Sequence, residues 1–157
     1  MEEKEWFTQQ ILACESSMYR VAMSIVGNAE DASDAAQEAI LIAYQKLHTL
    51  RQKESFRPWL MKILTNECYA VLRRRQHQVS LEEVSDYAPP SDQEEQHLLW
   101  QAVCDLNQSL RSVVVLYYYE GFSGKEIGTI LGISQDNVKT RLSRARKHLK
   151  TILEAST

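Results

Sequence analysis

Glycine and proline are scarce in this chain of 157 residues, with five and three respectively. So few turn formers leave little material for the tight hairpins of sandwiches and barrels, and they exclude collagen-like and low-complexity chains. Cysteine is equally sparse. Cys14, Cys68 and Cys104 are odd in number, widely spaced and without a C-x-x-C pair. That argues against a disulfide framework or a zinc site and fits a reducing compartment. No apolar run approaches the roughly 20 residues that a membrane-spanning helix needs. The opening MEEKEWF is acidic and lacks the basic and apolar parts of an export signal, so a cytoplasmic protein with no membrane insertion of its own is expected. There is no glycine-rich phosphate loop and no G-x-S-x-G, and His48, His77, His97 and His148 are scattered without ligand spacing. No catalytic residue, metal or cofactor is expected, and the chain does not read as an enzyme.

What the chain does have is segregated charge. The formal net charge is −3, but that total hides four blocks. Residues 1–50 hold eight acidic and three basic groups, 51–75 hold two and seven, 76–110 hold seven and none, and 111–157 hold four and eight. Two basic blocks around an acidic one imply two anionic contacts on one ligand. The stretch QHQVSLEEVSDYAPPSDQEEQ, residues 76–96, combines low hydrophobicity with charge of one sign and Pro89-Pro90, and reads as a flexible acidic linker. It divides the chain into small domains at 1–75 and 97–157.

Apolar spacing makes both domains helical. Met18, Tyr19, Ala22, Ile25 and Val26 define one helix, stopped by Gly27-Asn28. A second helix is expected from about Glu30 to His48, with a small-residue stripe of Ala32, Ala35, Ala36, Ala39, Ala43 and Leu47. Its other face carries Asp34, Gln37, Glu38 and Leu41, an acidic patch with an out-of-place leucine. A third helix spans about Phe56 to Arg75, with Ser55 as cap and Pro58 in the first turn, where no intrahelical N–H is needed. It ends in Arg73-Arg74-Arg75, which the helix dipole favours and which phosphate binding would also use.

In the second half, Leu98–Leu106 and Ser109–Tyr119 read as helices. The run from Val113 to Tyr119 has strand propensity, but no partner strand exists nearby, and its tyrosines read as packing residues. The most specific signal follows. Ser123-Gly124-Lys125-Glu126 is a capping box, Gly132 supplies a turn, and Ser134 caps a last helix. In that helix Val138, Leu142, Ala145 and Leu149 face inward, and residues 139–150 hold six basic and no acidic groups. Two short helices around a glycine turn, the second cationic outside, describe a DNA-reading helix-turn-helix.

These residues resemble the ECF (extracytoplasmic function) sigma factors of bacterial RNA polymerase. Tyr19 to Ala39 is similar to the start of the family's region 2, Ser55 to Asn66 to its promoter-melting segment, and Tyr117 to Leu149 to its region 4. The resemblance implies an all-α chain of two small helical domains, a region 2-like bundle and a region 4-like helix-turn-helix, joined by the acidic linker. It implies three partners: core RNA polymerase, promoter DNA and an anti-sigma protein. Asp34, Gln37, Glu38 and Leu41 match the polymerase-binding face. Lys139, Thr140, Arg144 and Lys147, with Arg141 and Arg146 as phosphate contacts, match the reader of the upstream element. Leu50, Arg51, Trp59, Asn66, Arg73 and Arg74 match the surface that opens the downstream element, where the loop from about Thr49 to Ser55 lines a pocket for a flipped base. Three positions depart from the family pattern: Leu50 replaces a frequent aromatic, Asn107 a proline, and Gly124 an aromatic. The alternative is a stand-alone helix-turn-helix regulator that binds an operator without polymerase. It leaves the basic block at 51–75 unexplained.

Overall fold

The computed structural model describes residues 2–75 and 94–155, and most of the acidic linker lies outside them. Helix α1 (Glu2–Val26), α2 (Ala29–Gln45) and α3 (Phe56–Arg75) form a three-helix bundle. The inward stripe of α1 starts earlier than expected. Phe7, Cys14, Met18, Val21 and Ile25 are buried and Ile11 packs against them, so alternating steps of four and three hold one face inward for about five turns. Asn28 caps α2 by accepting from the Asp31 N–H at 2.9 Å. Ala32, Ala35, Ala39 and Ala43 are all buried, and their small side chains let α2 approach α1 and α3 closely.

Helix α2 ends at Gln45, short of the expected His48. A 3-10 turn, Leu47–Thr49, follows and drives Leu47 into the core. A second 3-10 turn, Lys53–Ser55, leads into α3, so Ser55 closes a turn on Gln52 where a helix cap was expected. The bounds of α3 match the expectation. Arg75 departs from its neighbours: it donates to the Val26 carbonyl at 2.5 Å and pairs with Asp31 at 3.4 Å, which ties the end of α3 to the α1–α2 corner.

The second unit comprises α4 (Glu94–Cys104), α5 (Gln108–Val114), α6 (Gly124–Leu131) and α7 (Gln135–Ala155). Helix α4 begins inside the segment 76–96 expected as linker. Asn107, one of the three departures, caps α5 by accepting from the Leu110 N–H at 3.1 Å. After Val114 the helix widens into a π turn, Val115–Tyr119, closed by the Glu120 N–H on the Val115 carbonyl at 3.0 Å. The run Val113–Tyr119 is therefore helical as expected, but the turn corrects the reading of its tyrosines. Tyr119 packs edge-on against Trp100 at 5.2 Å, whereas Tyr117 and Tyr118 are exposed.

The two units dock. Helix α5 lies on α1 and α6 lies on α3, and one apolar core runs through both. Arg111 is buried at this seam. Its Nε donates to the Ser24 carbonyl at 2.7 Å, and Nη1 to the carbonyls of Cys104, the last residue of α4, and of Leu106 just beyond it. Burial pulls its pKa below the ordinary arginine value, and three hydrogen bonds to carbonyls help keep the charge tolerable there.

Candidate nucleic-acid interfaces

The helix-turn-helix is built as its residues dictate. The Ser123 side chain accepts from the Glu126 N–H at 3.1 Å, and Glu126 accepts from the Ser123 N–H at 2.9 Å, so the capping box is closed despite Gly124. Gly132 ends α6 at φ 72°, the left-handed region that glycine enters freely. Ser134 caps α7 by accepting from the Asn137 N–H at 3.0 Å. Val138, Leu142 and Ala145 hold α7 on the unit's core. Opposite them Lys139, Thr140, Ser143, Arg144 and Lys147 are exposed. Thr140 and Lys147 lie nearest the centre of that outer face, and Arg144 and Ser143 flank them. Hydroxyl and guanidinium groups on such a face suit base edges, and the lysines suit phosphates.

Two expected phosphate contacts are placed otherwise. Arg141 is half-buried, and its Nε donates to Asn137 at 3.1 Å. Arg146 sits on the opposite flank, where its Nε donates to the Tyr118 hydroxyl at 2.7 Å and its guanidinium lies 5.8 Å from that ring. There it borders an apolar groove of about 650 Å³ lined by Leu99, Val103, Tyr118, Leu149 and Leu153. The structure thus separates Arg146 from the face that carries Thr140 and Arg144.

The downstream residues gather on α3 and the turns before it. Asn66, Arg73 and Arg74 are exposed on α3, Trp59 is half-buried against Phe56 at 5.8 Å, and Arg51 is exposed in the preceding loop. Leu50 lines a pocket of about 340 Å³ with Trp6, Leu47, Lys53, Glu2 and Glu3. Trp6 is the residue that sequence reasoning missed. It stands edge-on to Phe56 at 5.3 Å, and the Lys53 ammonium lies 5.1 Å from its ring. It supplies the pocket with an aromatic wall from α1, beside the position where Leu50 lacks one. The signal available was an aromatic pair, Trp6-Phe7, at the head of the α1 apolar stripe.

On α2, Asp34, Gln37, Glu38 and Leu41 share one exposed face, with Leu41 59% exposed. Asp34 and Glu38 also line a depression of about 300 Å³ with Glu67, Val71 and Arg74 of α3. Cys68 lies in the core behind this surface, with its thiol pushed up to about 12 by burial and by Glu67. A neutral buried thiol is a packing residue, without the thiolate character that redox sensing needs. Among the described residues no cluster of three or more His, Cys, Asp or Glu gathers, and no helix is long and apolar enough to cross a membrane.

A cationic helix-turn-helix packed on a three-helix bundle with a second basic face is a fold of the sigma type. Residues 11–78 match the sigma-70 region 2 family, and residues 96–149 match sigma-70 region 4. SigV of Bacillus subtilis, an RNA polymerase sigma factor, is 30% identical over 96% of this chain and 95% of its own length. A probable sigma factor of Xanthomonas campestris, RfaY, is 32% identical over 91% of this chain, and ECF sigma factor SigE of Mycolicibacterium smegmatis 31% over 87%. The chain spans only 39% and 57% of those two relatives. Among solved structures, sigma factor RpoE of Bartonella quintana, crystallised with the anti-sigma factor NepR, superposes with a TM-score of 0.80 at 25% identity, over 96% of this chain and 98% of that one. CnrH, in complex with the cytosolic domain of CnrY, gives 0.71 at 24% identity, over 98% and 91%. The chain belongs to the ECF sigma factors of bacterial RNA polymerase. Two matched domains in family order do not favour the stand-alone regulator.

Proposed function

We propose that this chain lends promoter specificity to core RNA polymerase through three surfaces. The α2 face of Asp34, Gln37, Glu38 and Leu41 docks polymerase: its carboxylates fit a basic partner, and Leu41 offers an apolar anchor that is otherwise unexplained on a surface helix. The α7 face reads the upstream element, with Thr140 and Arg144 toward base edges and Lys139 and Lys147 toward phosphates. Arg141 and Arg146 are secondary phosphate contacts on the flanks of that face, each with its Nε already held by a neighbour. On α3 and its approach, Asn66, Arg51, Arg73, Arg74 and Trp59 engage the opened downstream strand. The pocket of Trp6, Leu50 and Lys53 receives a base turned out of the stack. Unstacking costs a few kcal/mol, which base–aromatic stacking and polymerase contacts offset. No chemistry of its own is assigned to the chain, and its place of action is the cytoplasm, where polymerase and promoters are. An anti-sigma protein is a partner in keeping with the Bartonella relative, which was crystallised with one.

The observation that carries this reading is the pairing of two basic exposed faces, on α3 and α7, with an acidic exposed face on α2 that carries Leu41. The test is transcription of fragmented genomic DNA of the source bacterium by its core polymerase, with and without the chain, mapping RNA 5′ ends. New starts that share two upstream elements are expected. DNA retention by the chain alone, with no core binding and no new starts, would return the stand-alone regulator.

A further inference from the structure

The outer face of α7 carries one charged side chain that phosphate contact cannot use. Asp136 is the only acidic residue between Gln135 and Leu153, on a helix that is otherwise cationic outside. It is exposed, and among the described residues its carboxylate has neither an ion pair nor a hydrogen bond. At 100° per residue it lies about 40° from Thr140 around the axis and one turn nearer the N-terminus. Asp136, Thr140 and Arg144 therefore form one outward ridge. It is about 12 Å long and spans about three to four base pairs. A carboxylate on that ridge is repelled by the phosphates on both sides of a groove.

The neighbouring side chains are committed elsewhere. Gln135 is turned toward α6, where it lies beside Gly124. The Asn137 side-chain oxygen accepts from the Arg141 Nε at 3.1 Å, so Asn137 cannot offer the paired acceptor and donor that adenine takes. The Thr140 hydroxyl donates to the Asp136 carbonyl at 3.0 Å, which leaves its lone pairs and its methyl group for a base. At the N-terminal end of the ridge the group left to meet a base edge is the Asp136 carboxylate. When ionised it accepts at both oxygens and donates nothing. The helix dipole favours an acid in the first turn, but Gln135 stands in that turn too, and the acid is at the position that faces out.

The four bases differ in what they give such a group. In the major groove cytosine presents its N4 amino donor and no acceptor of its own. Guanine presents two acceptors, and thymine an acceptor and a methyl group. Adenine has an amino donor, but its N7 acceptor beside that donor faces the carboxylate lone pair to lone pair.

We propose that Asp136 determines specificity in the upstream element, selecting cytosine at the base pair met by the first turn of α7. That pair lies about three to four steps from the guanine edge that suits Arg144. The proposal rests on the sigma reading above. Phosphate repulsion lowers affinity for every sequence, and the N4 hydrogen bond restores it at cytosine. A site with any other base there keeps the repulsion without the bond.

The test compares the parent with Asp136→Ala and Asp136→Asn, each as the full chain on core polymerase. The template is one promoter found on genomic fragments, with its upstream element randomised, and base usage among transcribed templates is read position by position. In the parent, cytosine is expected to be favoured at one position at an end of the element. Asp136→Ala is expected to cut that preference about tenfold by raising output from the other three bases, with the remaining positions within about twofold of the parent. Asp136→Asn supplies the paired donor and acceptor that adenine takes, and is expected to move the preference there. Thermal unfolding by circular dichroism is the control, because a merely structural role lowers Tm and lowers output from all templates alike. No cytosine position in the parent, cytosine still favoured to the same degree by either variant, or a uniform change across positions would overturn the assignment. If the parent initiates nowhere, the sigma reading fails instead. Base usage in a randomised duplex retained by the chain alone, parent against Asp136→Ala, then decides whether Asp136 selects cytosine.

Discussion

Adding one methyl group to Gly128 tests the helix-turn-helix at its tightest point. A Cβ there would lie 2.8 Å from the Ile133 carbonyl oxygen and 3.7 Å from the Gln135 amide nitrogen. The Ile133 N–H donates back to the Gly128 carbonyl at 2.9 Å, so the turn is bound to α6 at the point where it would be pushed. Restoring an ordinary contact requires the backbone to give by about 0.6 Å. Overpacking of this kind costs about 1–3 kcal/mol, and the better helix propensity of alanine returns up to about 1. The expected net loss for Gly128→Ala is about 1–2 kcal/mol, a fall in Tm of roughly 2–8 °C for a chain of this size. Gly124→Ala is the control. Its Cβ would meet Gln135 Cγ at 3.9 Å, an ordinary contact, so propensity alone acts and stability stays level or rises by up to about 1 kcal/mol. Urea unfolding followed by circular dichroism measures both. Gly128→Ala as stable as the parent, or more stable than Gly124→Ala, would refute the packing argument.

Thr140→Ala and Arg144→Ala are expected each to weaken upstream-element discrimination by about 1–3 kcal/mol, while Lys147→Ala lowers affinity for all sequences and reduces the salt slope by about 1, read by binding titrations over a salt series. Trp6→Ala should remove about 1–3 kcal/mol of base stacking and reduce permanganate reactivity of the opened element at unchanged upstream binding; unchanged opening would exclude Trp6 from the base pocket. Leu41→Asp should weaken core polymerase binding by about 2 kcal/mol or more in a pull-down titration, leaving the fold intact because the side chain is exposed. Burial raises the folded-state pKa of Cys68 to about 12, above its ordinary value of 9.0, so its stabilising contribution is complete below pH 9 and declines as the pH rises from 9 toward 12. Cys68→Ala should flatten that alkaline fall in unfolding free energy, and an equally steep fall in the variant would assign it elsewhere.

Some elements could be read from neighbouring residues alone. The bounds of α3 followed from the apolar spacing after Ser55 and the closing arginines. The helix-turn-helix followed from Ser123, Glu126, Gly132 and Ser134, because a cap or a left-handed turn is satisfied within four residues of itself. Asn107 looked like a departure and proved to be an ordinary cap. Other features were hidden. Arg73, Arg74 and Arg75 are equivalent as sequence, yet among the described residues Arg75 alone of the three finds a carbonyl and a carboxylate. Tyr117, Tyr118 and Tyr119 differ only in where a π turn aims them. Gly128 gives no sign that a carbonyl five residues on will press against it.

The helical class, the two cationic blocks and the turn chemistry of α6–α7 are properties of local spacing and charge, and each can be worked out on paper. Glu120 meeting Arg20 and Arg57, 100 and 63 residues away, is of another kind. Nothing near Glu120 in the chain marks it for burial. Its partners are chosen by how two packed units close over one continuous core, and long-range closure is set by the sum of many weak contacts that no short stretch contains.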